Sequence, residues 1–326
     1  MPALYPLSAQ MKTNTLDSYK NIYLIINPVS GQGKVPVGEI RAKFDGLGDR
    51  LEVHETKPDL SAKTIAEGAV SQGADLVIAF GGDGTMLEVA EALIDTRVPL
   101  AVIPGGTANV FANELEIPND KMDAIDSLLT QKANIREIDV GRVGEKHFLL
   151  RVGIGLEAAM TVMTDRDEKD KYGFWAYLRT ALRLASRMKQ AHYHMVIDGK
   201  RIKMHGVTCV VCNSGNLGLP KVKLLPDIDI SDGKLDLIIV KEASIWSAGS
   251  LTYHAIKGVF SKIKPHGDRP CYSIFHRQAC DVVVLSASGQ LAARDGEEVG
   301  SNFPLKITVK HNALKVLVPE VKGFFD

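Results

Sequence analysis

Over the first 110 residues the apolar positions fall in short unbroken runs, each closed by a turn and followed by a helical pattern. Asn21-Ile-Tyr-Leu-Ile-Ile26 predicts a buried strand ending in Asn27-Pro28-Val29-Ser30-Gly31. Leu51-Glu-Val-His-Glu-Thr56 predicts a second strand, after which Ser61 caps a helix running to about Ser71. Ala74–Phe80 predicts a third, ending in Gly81-Gly-Asp-Gly-Thr85 before a helix over Met86–Ile94. Pro99–Ile103 predicts a fourth, ending in Pro104-Gly-Gly-Thr-Ala-Asn109 and a further helix. Strands alternating with helices predict a doubly wound, mostly parallel α/β sheet. In such sheets ligands sit outside the carboxyl ends of the strands, where these glycine-rich turns fall.

Near Ile138 the pattern changes to strands: Phe148–Val152, His194–Ile197, Gly206–Val211, Leu235–Val240, Asp281–Leu285, Leu305–Val309 and Leu314–Val318. Asp198-Gly199, Asp232-Gly233 and Asp295-Gly296 are dipeptides favoured in tight hairpins. Two helical stretches interrupt, near 171–190 and 244–264. The division predicted is a polar tail over 1–20, an α/β domain over 21–140, a β-rich domain over 141–310, and a closing segment, 311–326, returning to the first domain.

A chain of 326 residues suits two domains. Its 39 basic residues equal its 39 acidic ones, so no global field draws it to nucleic acid. No run reaches the ~18 apolar residues of a membrane span, and Met1–Lys20 lacks a signal pattern. The four cysteines are too few for a disulfide scaffold. Cys209 and Cys212 lie in a β-branched run, where residues three apart face opposite ways, so they read as structural thiols of a reduced, cytoplasmic protein.

The candidate chemistry is concentrated in the turns. Gly81, Gly82 and Gly84 let backbone amides approach phosphate oxygens, the following helix adds its positive end, and Thr85 offers a hydroxyl. Asp83 beside phosphates needs a metal ion or a set of donors; the alternative is a plain turn with Asp83 as a helix cap. Gly31-Gln-Gly-Lys34 is not a P-loop, because position 28 is proline and position 35 valine. No G-x-G-x-x-G follows the first strand, which disfavours a dehydrogenase-type dinucleotide fold. Asp295-Gly-Glu-Glu298 supplies carboxylates that could deprotonate a hydroxyl, or it is a hairpin turn, or both.

Three motifs in this order at successive strand ends resemble the catalytic domain of the diacylglycerol kinases, shared with sphingosine, ceramide and soluble bacterial lipid kinases. The resemblance runs from about Asn21 to Pro319. It implies an N-terminal α/β domain and a C-terminal β-sandwich with a nucleotide in the cleft between them. By that likeness ATP contacts fall to Asn27, Thr56, Gly81, Gly82, Asp83, Gly84, Thr85, Met86, Leu87, Gly106 and Thr107, with Ser30 and Lys34 as helpers. Asp295 would be the base and Glu297 its partner or substitute, with Asp83 organising metal and hydroxyl. Asp229, Asp232 and the Lys234 carbonyl would hold a structural Mg²⁺, unless Pro226–Leu235 is only a solvated acidic hairpin. Asp139 would join a network with Asp83.

The activity implied is transfer of the γ-phosphate of Mg-ATP to a lipid hydroxyl by a cytoplasmic enzyme that visits the inner membrane surface, with a homodimer left open. An NAD kinase and a non-catalytic lipid-binding protein are the alternatives. Two departures bear on the acceptor: Val110 stands where many relatives carry aspartate, and Glu157 where aspartate often occurs. Residues 171–190 carry Leu178, Leu182 and Ala185 on one helical face and Arg179, Arg183 and Arg187 on the other, behind Phe174 and Trp175. That stretch reads as a membrane-surface element or as a helix packed on the sandwich.

Overall fold

A computed structural model describes residues 15–31, 35–163, 190–217, 224–225, 227–241, 274–287 and 289–320. The predicted stretches near 171–190 and 244–264, and Lys34, lie outside the described residues.

The N-terminal half is a parallel sheet flanked by helices. Its strands are β1 (Ile22–Ile26), β2 (Leu51–Glu55), β3 (Leu76–Gly81) and β4 (Leu100–Pro104), with helices α1 (Val37–Lys43), α2 (Ala62–Ser71), α3 (Asp83–Leu93), α4 (Val110–Glu114) and α5 (Lys121–Thr130). All residues of β1, β3 and β4 are buried, which explains why they read as unbroken apolar runs. β1 lies between β2 and β3, and β4 pairs with β3, each pair parallel. Ser61 caps α2 as predicted, its hydroxyl accepting from the Thr64 amide at 3.1 Å. Helix α3 begins earlier than the sequence pattern predicts, at Asp83 instead of Met86. Gly82 takes the N-cap, and a carboxylate in the first turn complements the helix dipole.

The C-terminal half contains β5 (Ala133–Val143), β6 (Lys146–Phe148), β7 (Arg151–Gly155), α6 (Leu156–Met163), β8 (Ala191–Ile197), β9 (Lys200–Gly206), β10 (Thr208–Cys212), β11 (Leu235–Val240), β12 (Ile274–Ala279), β13 (Asp281–Ala287), β14 (Ala292–Arg294), β15 (Glu297–Gly300) and β16 (Leu305–Pro319). One antiparallel sheet runs β12-β11-β10-β7-β14-β15. It packs against β13, β8 and their neighbours, and Val152, Ile154, Tyr193, Cys209, Val282 and Ile307 fill the space between as a sandwich core. Cys212 belongs to a separate apolar cluster on the other face, as expected for a residue three places from Cys209 on one strand. Burial pushes both thiols up to about 12, so they stay protonated.

β16 joins the halves. It pairs parallel with β4 through Val316↔Leu100, antiparallel with β13 through Val282↔Ile307, and antiparallel with β5 along most of its length. The predicted strand Phe148–Val152 is in fact two strands in different sheets. Leu149 and Leu150 lie between the two strands, their amides turned to the Asp295 carboxylate. Among the described residues no helix is long and apolar enough to cross a membrane.

Candidate active site

Three turns at the carboxyl ends of β1, β3 and β4 meet glycine against glycine. A Cβ on Gly31, whose φ is +74°, would stand 2.3 Å from the Gly105 carbonyl oxygen. One on Gly106 would stand 2.6 Å from the Gly82 Cα. The turns are also tied by hydrogen bonds: the Gly105 amide donates to the Gly81 carbonyl at 2.8 Å, and the Asn27 side chain donates to Thr85 Oγ1 at 2.9 Å. Ser30 Oγ donates to the Asn27 carbonyl at 3.1 Å, and the Thr56 amide donates to Ile26 at 2.9 Å. So Asn27, Ser30, Thr56, Gly81, Gly82, Thr85 and Gly106 converge. Beside them opens a cavity of about 200 Å³ lined by Ser30, Val35, Phe80, Gly105, Asn119 and Lys121. Gly84 and Thr107 are exposed at the turns. Met86 and Leu87 are 2% and 5% exposed core residues of α3, so their side chains do not face this opening.

Asp83 is a cap for a second helix. Its carboxylate accepts from the amides of Val110 at 3.1 Å and Phe111 at 2.9 Å, which fixes the start of α4 and with it the Pro104–Asn109 turn. Burial raises its pKa, and those amides together with Arg151 oppose the rise. This is the capping alternative read from the sequence, with α4 instead of α3 as the helix that is capped.

Asp295 sits at the tip of the β14–β15 hairpin, where Arg294 faces Glu297. Positive φ at Asp295 (41°) and Gly296 (93°) is what a tight two-residue turn requires. Its carboxylate accepts from the amides of Leu149 at 2.6 Å, Leu150 at 3.0 Å and Arg151 at 2.8 Å. Burial pushes its pKa up from 3.8 to about 6, against the pull of the three amides and Arg151. Turn and candidate base are therefore one structure.

Arg151 was missed by sequence reasoning, and it is where the two halves meet. Its positive charge acts on Asp83 from the first domain and on Asp295 and Glu157 from the second. Its guanidinium donates to the Asn216 carbonyl at 3.0 Å. The Glu157 carboxylate folds back over β7 so closely that a Cβ on Gly153 would lie 1.4 Å from Oε2. Burial raises the Glu157 pKa; Arg151 lowers it and Asp295 raises it further. Glu114 of α4 also reaches across, accepting from Ser214 Oγ at 2.7 Å and the Asn216 amide at 3.0 Å. The only sequence signal for Arg151 was a charge between apolar Leu150 and Val152.

Three further sets of candidates have protein partners of their own. Asp139 does form a network, but with His311 Nδ1 at 2.7 Å and the amides of Gly233 at 2.6 Å and Asn312 at 2.8 Å, while the Asp83 oxygens are occupied at α4. Asp229, Asp232 and Lys234 lie in the turn before β11, and both carboxylates have protein partners. Asp229 pairs with Arg136 at 2.9 Å, and Asp232 accepts from the Lys234 amide at 2.9 Å and Gln278 at 3.0 Å. Among the described residues no group of three or more acids, histidines or cysteines could hold a metal. Glu297 is exposed and pairs with Arg294 at 3.1 Å.

Comparison with known proteins matches residues 21–143 to the diacylglycerol kinase catalytic domain and residues 151–318 to the YegS C-terminal NAD kinase beta sandwich-like domain. The diacylglycerol kinase of Bacillus subtilis (strain 168) is 31% identical over 244 residues, covering 73% of this chain and 80% of that protein. The diacylglycerol kinase of Staphylococcus saprophyticus is 26% identical over 304 residues, covering 92% and 96%. A solved structure from Bacillus anthracis str. Sterne, provisionally assigned as a diacylglycerol kinase, is 26% identical with a TM-score of 0.73. It covers 93% of this chain and 98% of its own.

Proposed function

This chain belongs to the diacylglycerol kinase family, a lipid kinase acting on an alcohol acceptor, and we propose that it transfers the γ-phosphoryl group of ATP to a lipid hydroxyl with Asp295 as the base. What supports this reading is that Asp83 caps α4 beside the glycine turns while Asp295 accepts from the amides of residues 149–151, with the Arg151 charge lowering the pKa of both carboxyls.

The chain's own groups divide the work. The 81–85 turn opens α3, whose positive N-terminal end favours the negative charge of a phosphate. Asp83 holds this turn and the 104–107 turn in register through α4. Asp295, raised by burial, is a stronger base than an ordinary aspartate and takes the acceptor's proton as its oxygen attacks the γ-phosphorus and the bridging P–O bond breaks to release ADP. The amides of Arg151, Leu149 and Leu150, with the Arg151 charge behind them, keep that carboxylate anionic near neutrality. Magnesium, which neutralises charge in such transfers, would travel with the nucleotide. The acceptor is a lipid presented at a membrane surface.

A panel of diacylglycerol, ceramide, a sphingoid base and NAD, offered with Mg-ATP and with lipids in mixed micelles, tests the reading. Phosphorylation of a lipid that is lost in Asp295→Asn is expected. Product from NAD alone, or full lipid turnover by Asp295→Asn, refutes it.

A further inference from the structure

The Asp295 turn is gripped from the other domain. Arg294, the residue before Asp295, is 7% exposed. Its Nη1 lies 3.4 Å from Glu91 Oε1 and also donates to the His147 carbonyl, and its Nη2 lies 3.1 Å from Glu297. Glu91 is on α3, about two turns beyond Asp83 on the same helix. Its second oxygen pairs with Lys63 of α2 at 3.1 Å, and the His147 amide also favours the charged form of the carboxyl. Burial works to raise Glu91, yet Lys63, Arg294 and that amide hold its carboxyl below the usual range. A row of alternating charges, Lys63, Glu91, Arg294 and Glu297, thus crosses from the first domain to the second.

Stability is a poor explanation for this row. Burying an arginine costs solvation that ion pairs often fail to recover, and here Arg294 Nε is buried without a partner. An apolar side chain would seat the hairpin with less penalty. What the ion pair adds is direction: a forked donor between two carboxylates and a carbonyl has one orientation.

We propose that Glu91 and Arg294 are a positioning pair that fixes the Asp295 turn against the helix carrying the phosphate-facing turn. The proposal rests on the reading of Asp295 as the base. Neither residue touches the reacting atoms. A misplacement of about 1 Å at a reacting group can cost a hundredfold in rate, so loosening this row acts on turnover and leaves nucleotide binding in place.

The test uses the full chain and the charge-removing variants Arg294→Gln and Glu91→Gln, with the charge exchange Glu91→Arg/Arg294→Glu. Two readouts are taken: kcat and KM for ATP on the lipid acceptor, and hydrogen–deuterium exchange at amides 149–151, which Asp295 holds. Each single variant is expected to lose roughly ten- to a hundredfold in kcat, keep its KM for ATP within about twofold, and lose protection at 149–151. The exchange variant is expected to recover roughly tenfold over the worse single variant. If Glu91→Gln and Arg294→Gln fold, keep those amides protected and turn over like the parent, the proposal is overturned. Should the parent phosphorylate no lipid, the assigned activity fails, and exchange at 149–151 alone decides whether the pair holds the turn. Should the exchange variant not fold, the two single variants carry the decision.

Discussion

Asp295 shows how one side chain serves two demands. The hairpin needs a residue that tolerates positive φ before glycine, and aspartate does. The chemistry needs a carboxylate that is anionic near neutrality yet basic enough to take a proton. Burial lifts the group to about 6 while three amides restrain it. The lipid kinase rate is therefore expected to fall below about pH 6 with unit slope, and Asp295→Asn is expected to lose at least a thousandfold in kcat. A flat profile from pH 5 to 8 would remove Asp295 from the role. The same shift has a stability consequence of defined sign. The folded pKa lies above the unfolded one, so the native state binds the proton more tightly. The contribution of Asp295 is present below about pH 4 and is lost as pH rises through about 6. Asp295→Asn should accordingly gain in Tm relative to the parent on going from pH 4 to pH 7, by the equivalent of at most about 3 kcal/mol. Thermal melts at the two pH values check it.

Among the secondary structures, the turns at the strand ends were the most legible part of the chain. Glycines at 81 and 82 announced close backbone approach, and the structure supplies the reason: a Cβ on Gly81 would meet Thr85 at 2.5 Å, and across from Gly82 a Cβ on Gly106 would stand 2.6 Å from its Cα. Gly106→Ala must push backbone against backbone, and a loss of about 1–3 kcal/mol with weakened ATP binding is expected. Gly84 has nothing within 4 Å of its Cβ position and lies in the first turn of α3. Gly84→Ala should hold or raise stability by about 0.5–1 kcal/mol. If it also raises KM for ATP, the turn is read as a phosphate cradle; an unchanged KM would place the phosphates elsewhere. Denaturant melts and ATP titrations separate the two effects. Gly153 carried no such signal. Its constraint comes from Glu157, four residues on, folding back across β7, and helical or strand periodicity cannot anticipate that. Arg151 was hidden for a related reason: as one residue in a short apolar strand it gave no hint that acids from three segments would gather around it.

The two domains share a sheet, and this is where pattern reading had least purchase. Alternation in Leu305–Val309 and Leu314–Val318 announced strands, but register and partners depend on residues far away in sequence. Observed, β16 changes register against β5 between Lys310 and Leu314, with Asn312 at a φ of 50° in the gap. Asp139 governs that irregularity. It is fully buried, and its carboxylate accepts from the Asn312 amide and His311 on β16 and from the Gly233 amide before β11. One anion therefore ties the strand that runs through both domains to the second sheet of the sandwich. Asp139→Asn offers one acceptor oxygen in place of two and turns an NH₂ toward donors, leaving buried amides unsatisfied. A loss of about 2–4 kcal/mol is expected. Because β16 pairs with β4 as well as β13, the loss should appear in both domains as one transition at a lower midpoint. Two separated transitions in Asp139→Asn, with the α/β half unaffected, would mean that β16 does not couple the domains energetically.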